Sequence, residues 1–336
     1  MNRMNTYLLK KTLKRYLQGI LGEKLFNHVK GFMTSKKNPA SGMGATAEKW
    51  GSEEHSCRNT LARGWCGSPI VLAYRSRMVT GSDDGNPSLL IVDHLAPQCR
   101  NGKVLVLGCG QSLAEHWLAI SKTAQFAHGI DVSPGAIEKA RAEVVSQGLS
   151  GRVTHEVMDI NKLSLLENSY DGLLISQSMH HFENLEHICA EIVKGLKPGA
   201  PIVIDDFVGP TRFQYSEDRL NLMNRLLVCL PPHMQKPPIE RIPLESFLKI
   251  DPSEGVRCGD IPGVIRRFFS IEKELPYGGS IIYQLLQDIV PYIRHEDPRD
   301  AALVKLLVTF EEYLIKTRAM ESDFVMFFAR NQKPWN

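Results

Sequence analysis

The segment KVLVLGCGQS, residues 103–112, joins a run of apolar residues to two glycines that are separated by one residue. The apolar run predicts a buried strand, and the pattern from about Leu113 onward predicts a helix. Glycine is expected where the backbone must pass close to a ligand, and the N–H groups at a helix N-terminus can bind an anionic group. The segment therefore predicts a strand, a turn at Gly108 and Gly110, and a helix that together bind a ligand.

Around this segment, short apolar runs alternate with helical patterns. The further runs lie at residues 125–131, 152–159, 170–176 and 200–206. The helix predicted from Pro134 to Gln147 has Ser133 as its N-cap and Gly148 just beyond its end. Strands that alternate with helices predict parallel βαβ units, and so an α/β fold with a doubly wound sheet. Two more strands, at 268–275 and 323–330, follow helical insertions at 207–267 and 279–319.

Acidic residues follow the next two predicted strands. Asp131 stands 21 residues after Gly110, and a carboxylate at this position can accept hydrogen bonds from a ribose diol. Asp159, followed by Ile160, ends the third predicted strand and would suit an adenine. A nicotinamide dinucleotide site needs a small residue where this chain has Leu113, which disfavours an NAD-dependent oxidoreductase.

Residues 100–206 resemble the core of the class I S-adenosylmethionine-dependent methyltransferases. The resemblance lies in VLVLGCGQS, GIDVSPGAIEKAR, VMDI, YDGLLISQSMHHF and LKPGA. Ser112 stands where the family often has a third glycine. The flanking segments resemble a bacterial subgroup that acts on small molecules or glycans. The family implies a seven-stranded, mostly parallel, Rossmann-like methyltransferase sheet and S-adenosyl-L-methionine as the cofactor.

The resemblance also implies roles for individual residues at the strand ends. The methionine moiety would lie against Gly108, Cys109 and Gly110. The ribose would bind Asp131 and Val132, and the adenine Asp159 and Ile160. Ser176 and Gln177 would lie near the methionine amino group or the sulfonium.

Because the sulfonium carries the reactive methyl group, the protein mainly has to position an acceptor. A hydroxyl acceptor would benefit from a base, for which His180 and His181 are equal candidates; one of them could instead cap a helix or pack. Asp206, Arg212 and Tyr215 are candidate substrate residues, although a solvated arginine and a packed tyrosine are equally compatible with the sequence. No metal is expected, because no ligand pattern is evident.

Composition sets further bounds. With 43% hydrophobic and 23% charged side chains in 336 residues, the chain can bury a large core. Seven scattered cysteines without a C-x-x-C pair argue against a disulfide framework or a zinc ribbon. No apolar run reaches the ~18 residues of a membrane-spanning helix. A cytoplasmic protein, with peripheral membrane attachment as a further hypothesis, is predicted.

Charge is distributed unevenly along the chain. Residues 1–38 carry nine basic residues and one acidic residue, or +8, and the remaining 31 basic and 36 acidic residues sum to −5. Apolar residues at helical spacing predict a basic amphipathic arm at 1–38, followed by a linker at 39–48 and a helical cap segment at 49–99. The arm could bind an anionic membrane surface, the body of the protein or a partner.

These observations predict a methyltransferase that acts on a small-molecule or glycan-like acceptor at oxygen. One alternative is a nucleic-acid methyltransferase that uses the basic arm, which the net acidic body disfavours. A non-catalytic cofactor-binding protein and an NAD-dependent oxidoreductase are the others. Oligomeric state cannot be read from the sequence.

Overall fold

A computed structural model of the chain describes residues 44, 46–47, 49, 64–111 and 113–332. The predicted amphipathic arm at 1–38 and Ser112 lie outside the described residues. Within the described ranges, no helix is both long and apolar enough to cross a membrane.

The centre of the fold is a seven-stranded mixed sheet with the order β3-β2-β1-β4-β5-β7-β6. Its strands are Lys103–Leu107 (β1), Phe126–Asp131 (β2), Val153–Val157 (β3), Gly172–Ser176 (β4), Pro201–Phe207 (β5), Ser270–Gly278 (β6) and Phe324–Arg330 (β7). The first five strands are parallel, and β7 pairs antiparallel with both β5 and β6. The prediction of a mostly parallel, Rossmann-like sheet is confirmed.

Helices cover both faces of this sheet. In the described residues they are Pro69–Thr80 (α1), Pro87–Cys99 (α2), Leu113–Ile120 (α3), Pro134–Ser146 (α4), Leu185–Gly195 (α5), Glu217–Leu227 (α6), Leu244–Ile250 (α7), Ile261–Phe268 (α8), Ile282–Leu286 (α9) and Pro298–Lys316 (α10). Ser133 caps α4 as predicted, since its hydroxyl accepts a hydrogen bond from the N–H of Ala136 at 3.3 Å.

Strand β1 shows why both faces of the sheet have to be covered by helices. Val104 and Val106 belong to the hydrophobic cluster on one face, and Leu105 and Leu107 belong to the cluster on the other. Successive side chains of a strand point to opposite faces, so a strand that is apolar at every position must be buried on both sides. The continuous apolar run places β1 in the middle of the sheet, and Gly108 follows at its carboxyl end.

Several boundaries differ from the sequence prediction. Strand β3 ends at Val157, so Asp159 lies in the following turn. The insertion predicted at 279–319 contains two separate α-helices, α9 and α10, and Asp297 caps the second. Gly44, Thr46 and Ala47 are helical, and Thr46 is buried, whereas a linker was predicted at 39–48. Thr46 and Ala47 have hydrogen-bond partners far away in the sequence, which local composition does not reveal.

Candidate active site

The glycine turn after β1 is the first part of the site. Gly108 and Gly110 have φ values of 66° and 52°, in the left-handed region that disfavours other residues. A Cβ atom at Gly108 would lie 2.4 Å from the Cβ of Ser178, whereas one at Gly110 would meet nothing within 4 Å. Gly108 is therefore required by the packing of β1 against the turn after β4, and Gly110 borders open space.

Asp131 lies beside this turn, at the end of β2. Its Oδ2 accepts a hydrogen bond from the N–H of Gly110 at 2.8 Å, and its Oδ1 accepts one from the N–H of Ser133 at 2.8 Å. Burial raises the pKa of the carboxyl group, and these backbone hydrogen bonds oppose that shift. A carboxylate offers about four acceptor positions, so the group can still bind a ligand hydroxyl.

Cys109 points away from the open side of the turn. A Cβ atom on Gly129 of β2 would lie 2.8 Å from the Cys109 Sγ and closer still to the Glu115 carboxylate, which places the thiol inside the sheet. Burial, reinforced by the Glu115 charge, raises the thiol pKa. The partly buried side chain of Cys109 therefore packs against the hydrophobic core.

The residues predicted for the adenine follow β3. The Oδ1 of Asp159 accepts a hydrogen bond from the N–H of Asn161 at 3.0 Å and so caps a short 3-10 turn. Ile160 is 5% exposed and belongs to the hydrophobic core. Val132 is half-buried beside Asp131. Asp159 thus caps the turn after β3, and its contact with an adenine stays a prediction.

Ser176 is the last residue of β4 and Gln177 follows it, and both are exposed. Gln177 has a φ of 53°, and its Nε2 donates to the Asp205 Oδ1 at 3.3 Å and to the Tyr277 hydroxyl at 3.2 Å. Asp205 also binds the Arg75 guanidinium at 2.7 Å and accepts from the Tyr277 hydroxyl at 2.6 Å. Sequence reasoning did not identify Arg75 or Tyr277 as part of this group.

Asp206, the last acid of β5, has a different role from the predicted one. It is fully buried, and its oxygens accept hydrogen bonds from the N–H groups of Ser178 at 2.9 Å, Met179 at 2.5 Å and Phe207 at 2.8 Å. Its Oδ1 also lies 2.6 Å from Nδ1 of His180. Asp206 therefore cannot be a direct substrate contact, because its oxygens hold the turn that carries His180.

The two histidines are adjacent but have different partners. Burial lowers the pKa of His180, but the carboxylates of Asp206, Glu254 and Asp251 together outweigh it, so that the net direction is upward. The Nδ1 of His181 lies 2.9 Å from the hydroxyl of Ser253. Burial, followed by the charge of His180, lowers the pKa of His181 to about 4. The structure thus separates two residues that the sequence left equivalent.

The loop that contains Asp251, Ser253 and Glu254 completes this side of the site. The Oε1 of Glu254 lies 3.7 Å from Nε2 of His180. Lys49 binds the other oxygen of Glu254 and a carboxylate oxygen of Asp251, both at 3.1 Å. No motif marks these residues, which lie about 70 positions after the histidines in the sequence.

The described part of the 44–49 segment contacts both sides of the site. The backbone carbonyl of Ala47 accepts a hydrogen bond from the Ser133 hydroxyl at 2.8 Å, two residues after Asp131. The hydroxyl of Thr46 donates to Asp251 at 2.7 Å. This segment therefore connects the edge next to Asp131 with the loop next to the histidines.

Arg212 and Tyr215 do not form a shared substrate surface. Arg212 donates to the backbone carbonyl of Glu254 at 2.8 Å and so supports that loop. Tyr215 is 3% exposed, and the guanidinium of Arg219 lies 4.2 Å from the centre of its ring. Tyr215 is therefore a packed core residue, which was the alternative interpretation of its sequence position.

Comparison with known proteins finds likenesses in the central part of the chain. Residues 105–204 match a family described as a methyltransferase domain. The chain is 35% identical over 106 residues to methyltransferase GfsG of Streptomyces halstedii, covering 32% of this chain and 38% of that protein. It is 31% identical over 85 residues to demethylmenaquinone methyltransferase of Bacteroides fragilis, covering 25% of this chain and 35% of that protein. The matches therefore span little more than a third of these relatives.

A solved structure extends the likeness to most of the chain. The geranyl diphosphate C-methyltransferase of Streptomyces coelicolor, solved with Mg²⁺, geranyl-S-thiolodiphosphate and S-adenosyl-L-homocysteine, superposes with a TM-score of 0.50. The superposition covers 88% of this chain and 100% of that chain at 13% identity. At this identity the likeness concerns the fold alone.

Proposed function

We propose that this chain, whose residues 105–204 form a class I S-adenosylmethionine-dependent methyltransferase domain, transfers a methyl group to a small-molecule acceptor. One observation carries the proposal: Asp131 beside the glycine turn and the His180–Asp206 pair lie at the carboxyl ends of parallel strands, β2 on one side of β1 and β4 and β5 on the other. Open α/β sheets bind their ligands at this edge. A ligand site and a candidate base thus share one side of the sheet.

S-adenosyl-L-methionine supplies an activated methyl group when it is bound. The residues present suit this cofactor, because Gly110 leaves space beside the turn and the oxygens of Asp131 keep acceptor capacity for the ribose hydroxyls. We assign Gly108, Cys109 and Gly110 to the methionine moiety, Cys109 through its backbone. Val132 joins Asp131 at the ribose, Asp159 and Ile160 border the adenine, and Ser176 and Gln177 lie toward the sulfonium.

The proposed acceptor atom is an oxygen, and His180 takes its proton. Asp206 binds Nδ1 of His180, which leaves Nε2 as the nitrogen that accepts a proton. A carboxylate on the far nitrogen stabilises the imidazolium that forms, whereas His181 has a neutral Ser253 hydroxyl in the same position. This difference favours His180 over His181 as the base, with Asp206 as its positioning residue.

The part of the site that would bind the acceptor, around the histidines and Asp205, is covered by segments outside the methyltransferase domain. We assign this cover to the cap segment at 49–99, which contributes Lys49 and Arg75, and to the insertion at 207–267, which contributes Glu254. Both segments present polar groups around the histidines and Asp205. A hydroxylated small molecule or a glycan-like acceptor fits such a lining better than an apolar one does.

The cofactor assignment is tested by isothermal titration with S-adenosyl-L-methionine. Asp131→Asn should weaken binding at least tenfold, since about 1.4 kcal/mol corresponds to that factor and the variant loses a charged acceptor. Asp218→Asn, a change at an exposed position, is the matched control and should bind like the parent. Equal affinities for the parent and Asp131→Asn would refute the assignment.

The catalytic assignment is tested by release of S-adenosyl-L-homocysteine with a panel of hydroxylated acceptors. His180→Gln should lower turnover by about 10²-fold or more and leave cofactor affinity unchanged, whereas His181→Gln should have a smaller effect. A larger loss in His181→Gln than in His180→Gln would contradict the choice of base.

For location, we propose a cytoplasmic enzyme whose arm at 1–38 binds an anionic membrane surface. The +8 charge and apolar helical pattern of this segment support the proposal. Flotation of the full chain with phosphatidylserine vesicles should exceed flotation with phosphatidylcholine vesicles and should decrease with salt. Equal flotation with both vesicles would exclude charge-driven attachment.

A further inference from the structure

We propose that Nε2 of His180 and Oε1 of Glu254 together bind the two hydroxyl groups of a vicinal diol in the acceptor. This inference rests on the proposed function and narrows its substrate class. The two atoms are 3.7 Å apart, which is too far for a hydrogen bond between them. Hydroxyl groups on adjacent carbons lie close enough together for each to donate to one of these atoms at an ordinary length of about 2.7–3.0 Å.

Both atoms can accept a hydrogen bond from a ligand. Nδ1 of His180 lies 2.6 Å from the Asp206 carboxylate, so a neutral His180 has its proton on Nδ1 and accepts at Nε2. Lys49 donates to Oε2 of Glu254 at 3.1 Å, and none of the described residues donates a hydrogen bond to Oε1. The side chains of His180 and Glu254 are 12% and 22% exposed, so a ligand can reach both of them.

The 3.7 Å separation is maintained by contacts on both residues. The N–H of Val256 donates to the backbone carbonyl of His180 at 3.2 Å, which ties the loop of Glu254 to the turn that carries the histidine. Arg212 donates to the backbone carbonyl of Glu254 at 2.8 Å, and Lys49 binds its carboxylate. The two acceptor atoms are thus positioned before a ligand arrives, which lowers the entropic cost of binding.

A ligand with one hydroxyl group cannot satisfy both atoms, because a hydroxyl has only one hydrogen to donate. Such a ligand would displace water and leave the carboxylate oxygen of Glu254 without a donor. A missing hydrogen bond to a charged group lowers affinity about tenfold or more. The pair therefore selects for a second hydroxyl group next to the one that reacts.

The two residues differ in what they do with the hydroxyl that they bind. The net direction of the pKa is upward for His180 and downward for Glu254, because neighbouring charges outweigh burial, which acts in the opposite direction on each. The proton of the reacting hydroxyl therefore goes to Nε2 of His180. Its oxygen bonds to the methyl carbon as the carbon–sulfur bond breaks and leaves its electron pair on sulfur. Glu254 only accepts a hydrogen bond, so one methyl group is transferred per diol.

The experiment titrates the full chain, in the presence of S-adenosyl-L-homocysteine, with catechol, phenol and resorcinol in a calorimeter. The parent should bind catechol at least tenfold more tightly than phenol. Absence of saturable catechol binding, or equal affinities for catechol and phenol, would overturn the proposal. Resorcinol has its hydroxyl groups on non-adjacent carbons, and binding as tight as that of catechol would overturn the vicinal arrangement.

Variants at Glu254 assign the preference to its carboxylate. Glu254→Leu should bind catechol no better than phenol, and Glu254→Gln, which keeps one acceptor oxygen, should retain part of the preference. Glu240→Leu changes an exposed position in the same insertion and should keep the preference of the parent. Thermal unfolding verifies that each variant is folded, and the ratio of two affinities does not depend on the folded fraction. A preference unchanged in Glu254→Leu would contradict the assignment.

Methyl transfer distinguishes this proposal from the proposed activity. Catechol should give a single monomethyl product, and Glu254→Leu should lower kcat/KM for catechol at least tenfold and that for phenol much less. Equal transfer to catechol and phenol by the parent and Glu254→Leu would retain the methyltransferase and refute the diol site. A chain that binds catechol through Glu254 but releases no S-adenosyl-L-homocysteine when it is supplied with S-adenosyl-L-methionine would retain the diol site and refute the methyltransferase proposal.

Discussion

Replacing Gly108 by alanine tests the packing that joins the two halves of the site. The new Cβ atom would lie 2.4 Å from Cβ and 2.6 Å from Oγ of Ser178. Ser178 has little room to move, because its hydroxyl donates to the Leu107 carbonyl at 2.9 Å and its N–H to Asp206 at 2.9 Å. The substitution should therefore displace the turn that carries His180 as well as strain the glycine turn.

The expected cost has two parts. A left-handed conformation costs a residue with a side chain about 1–2 kcal/mol, and overpacking a tight contact costs about 1–3 kcal/mol more. Gly108→Ala should thus lower the free energy of unfolding by about 2–5 kcal/mol. Gly110→Ala has a similar φ but no atom within 4 Å of the added Cβ, so it should cost only about 1–2 kcal/mol.

Urea unfolding of both variants measures the difference, provided that the dependence on urea concentration stays the same. A third comparison isolates the contact: in a Ser178→Gly background the added Cβ meets no Ser178 side chain, so Gly108→Ala should cost no more there than Gly110→Ala does in the parent. Equal costs for Gly108→Ala in the two backgrounds would refute the steric explanation.

Three further changes test other parts of the structure. The amide of Asp206→Asn cannot accept hydrogen bonds from all four donors, so the free energy of unfolding measured with urea should fall by about 2–4 kcal/mol. Turnover should also fall, and unchanged turnover would show that Asp206 does not position His180. Burial is the main reason why the pKa of His155 is lowered to about 4. Between pH 6.5 and pH 4 the unfolded chain therefore binds a proton that the folded chain excludes, and stability should fall as the pH falls through this range. At pH 5 this loss is about 2 kcal/mol of the free energy of unfolding. His155→Gln should remove this part of the difference in unfolding free energy between pH 7 and pH 5. Arg75→Gln leaves Asp205 buried without its cation and should cost about 3 kcal/mol by thermal unfolding, with partial recovery in the double variant with Asp205→Asn; no recovery would contradict the pairing.

Local sequence patterns were sufficient for the first five strands, for the helix capped by Ser133 and for the glycine turn. These features depend on residues a few positions apart, such as the apolar run that ends at Gly108. The position of Asp131 also follows, since parallel strands bring their carboxyl ends to one edge. That the last two strands complete the same seven-stranded sheet could be inferred only through the family resemblance.

The surroundings of His180 and Asp205 depend on contacts between distant parts of the chain. Glu254 approaches His180 from more than 70 residues away in the sequence, and Arg75 pairs with Asp205 across 130 residues. Sequence periodicity does not predict which loops contact each other. Asp206 was therefore predicted to contact the substrate, whereas its hydrogen bonds show that it supports His180. The edge of the sheet at which a ligand is expected follows from local sequence, because it arises from strand and turn chemistry. The separate roles of His180 and His181 depend on long-range contacts, which fix what each ring nitrogen can bind.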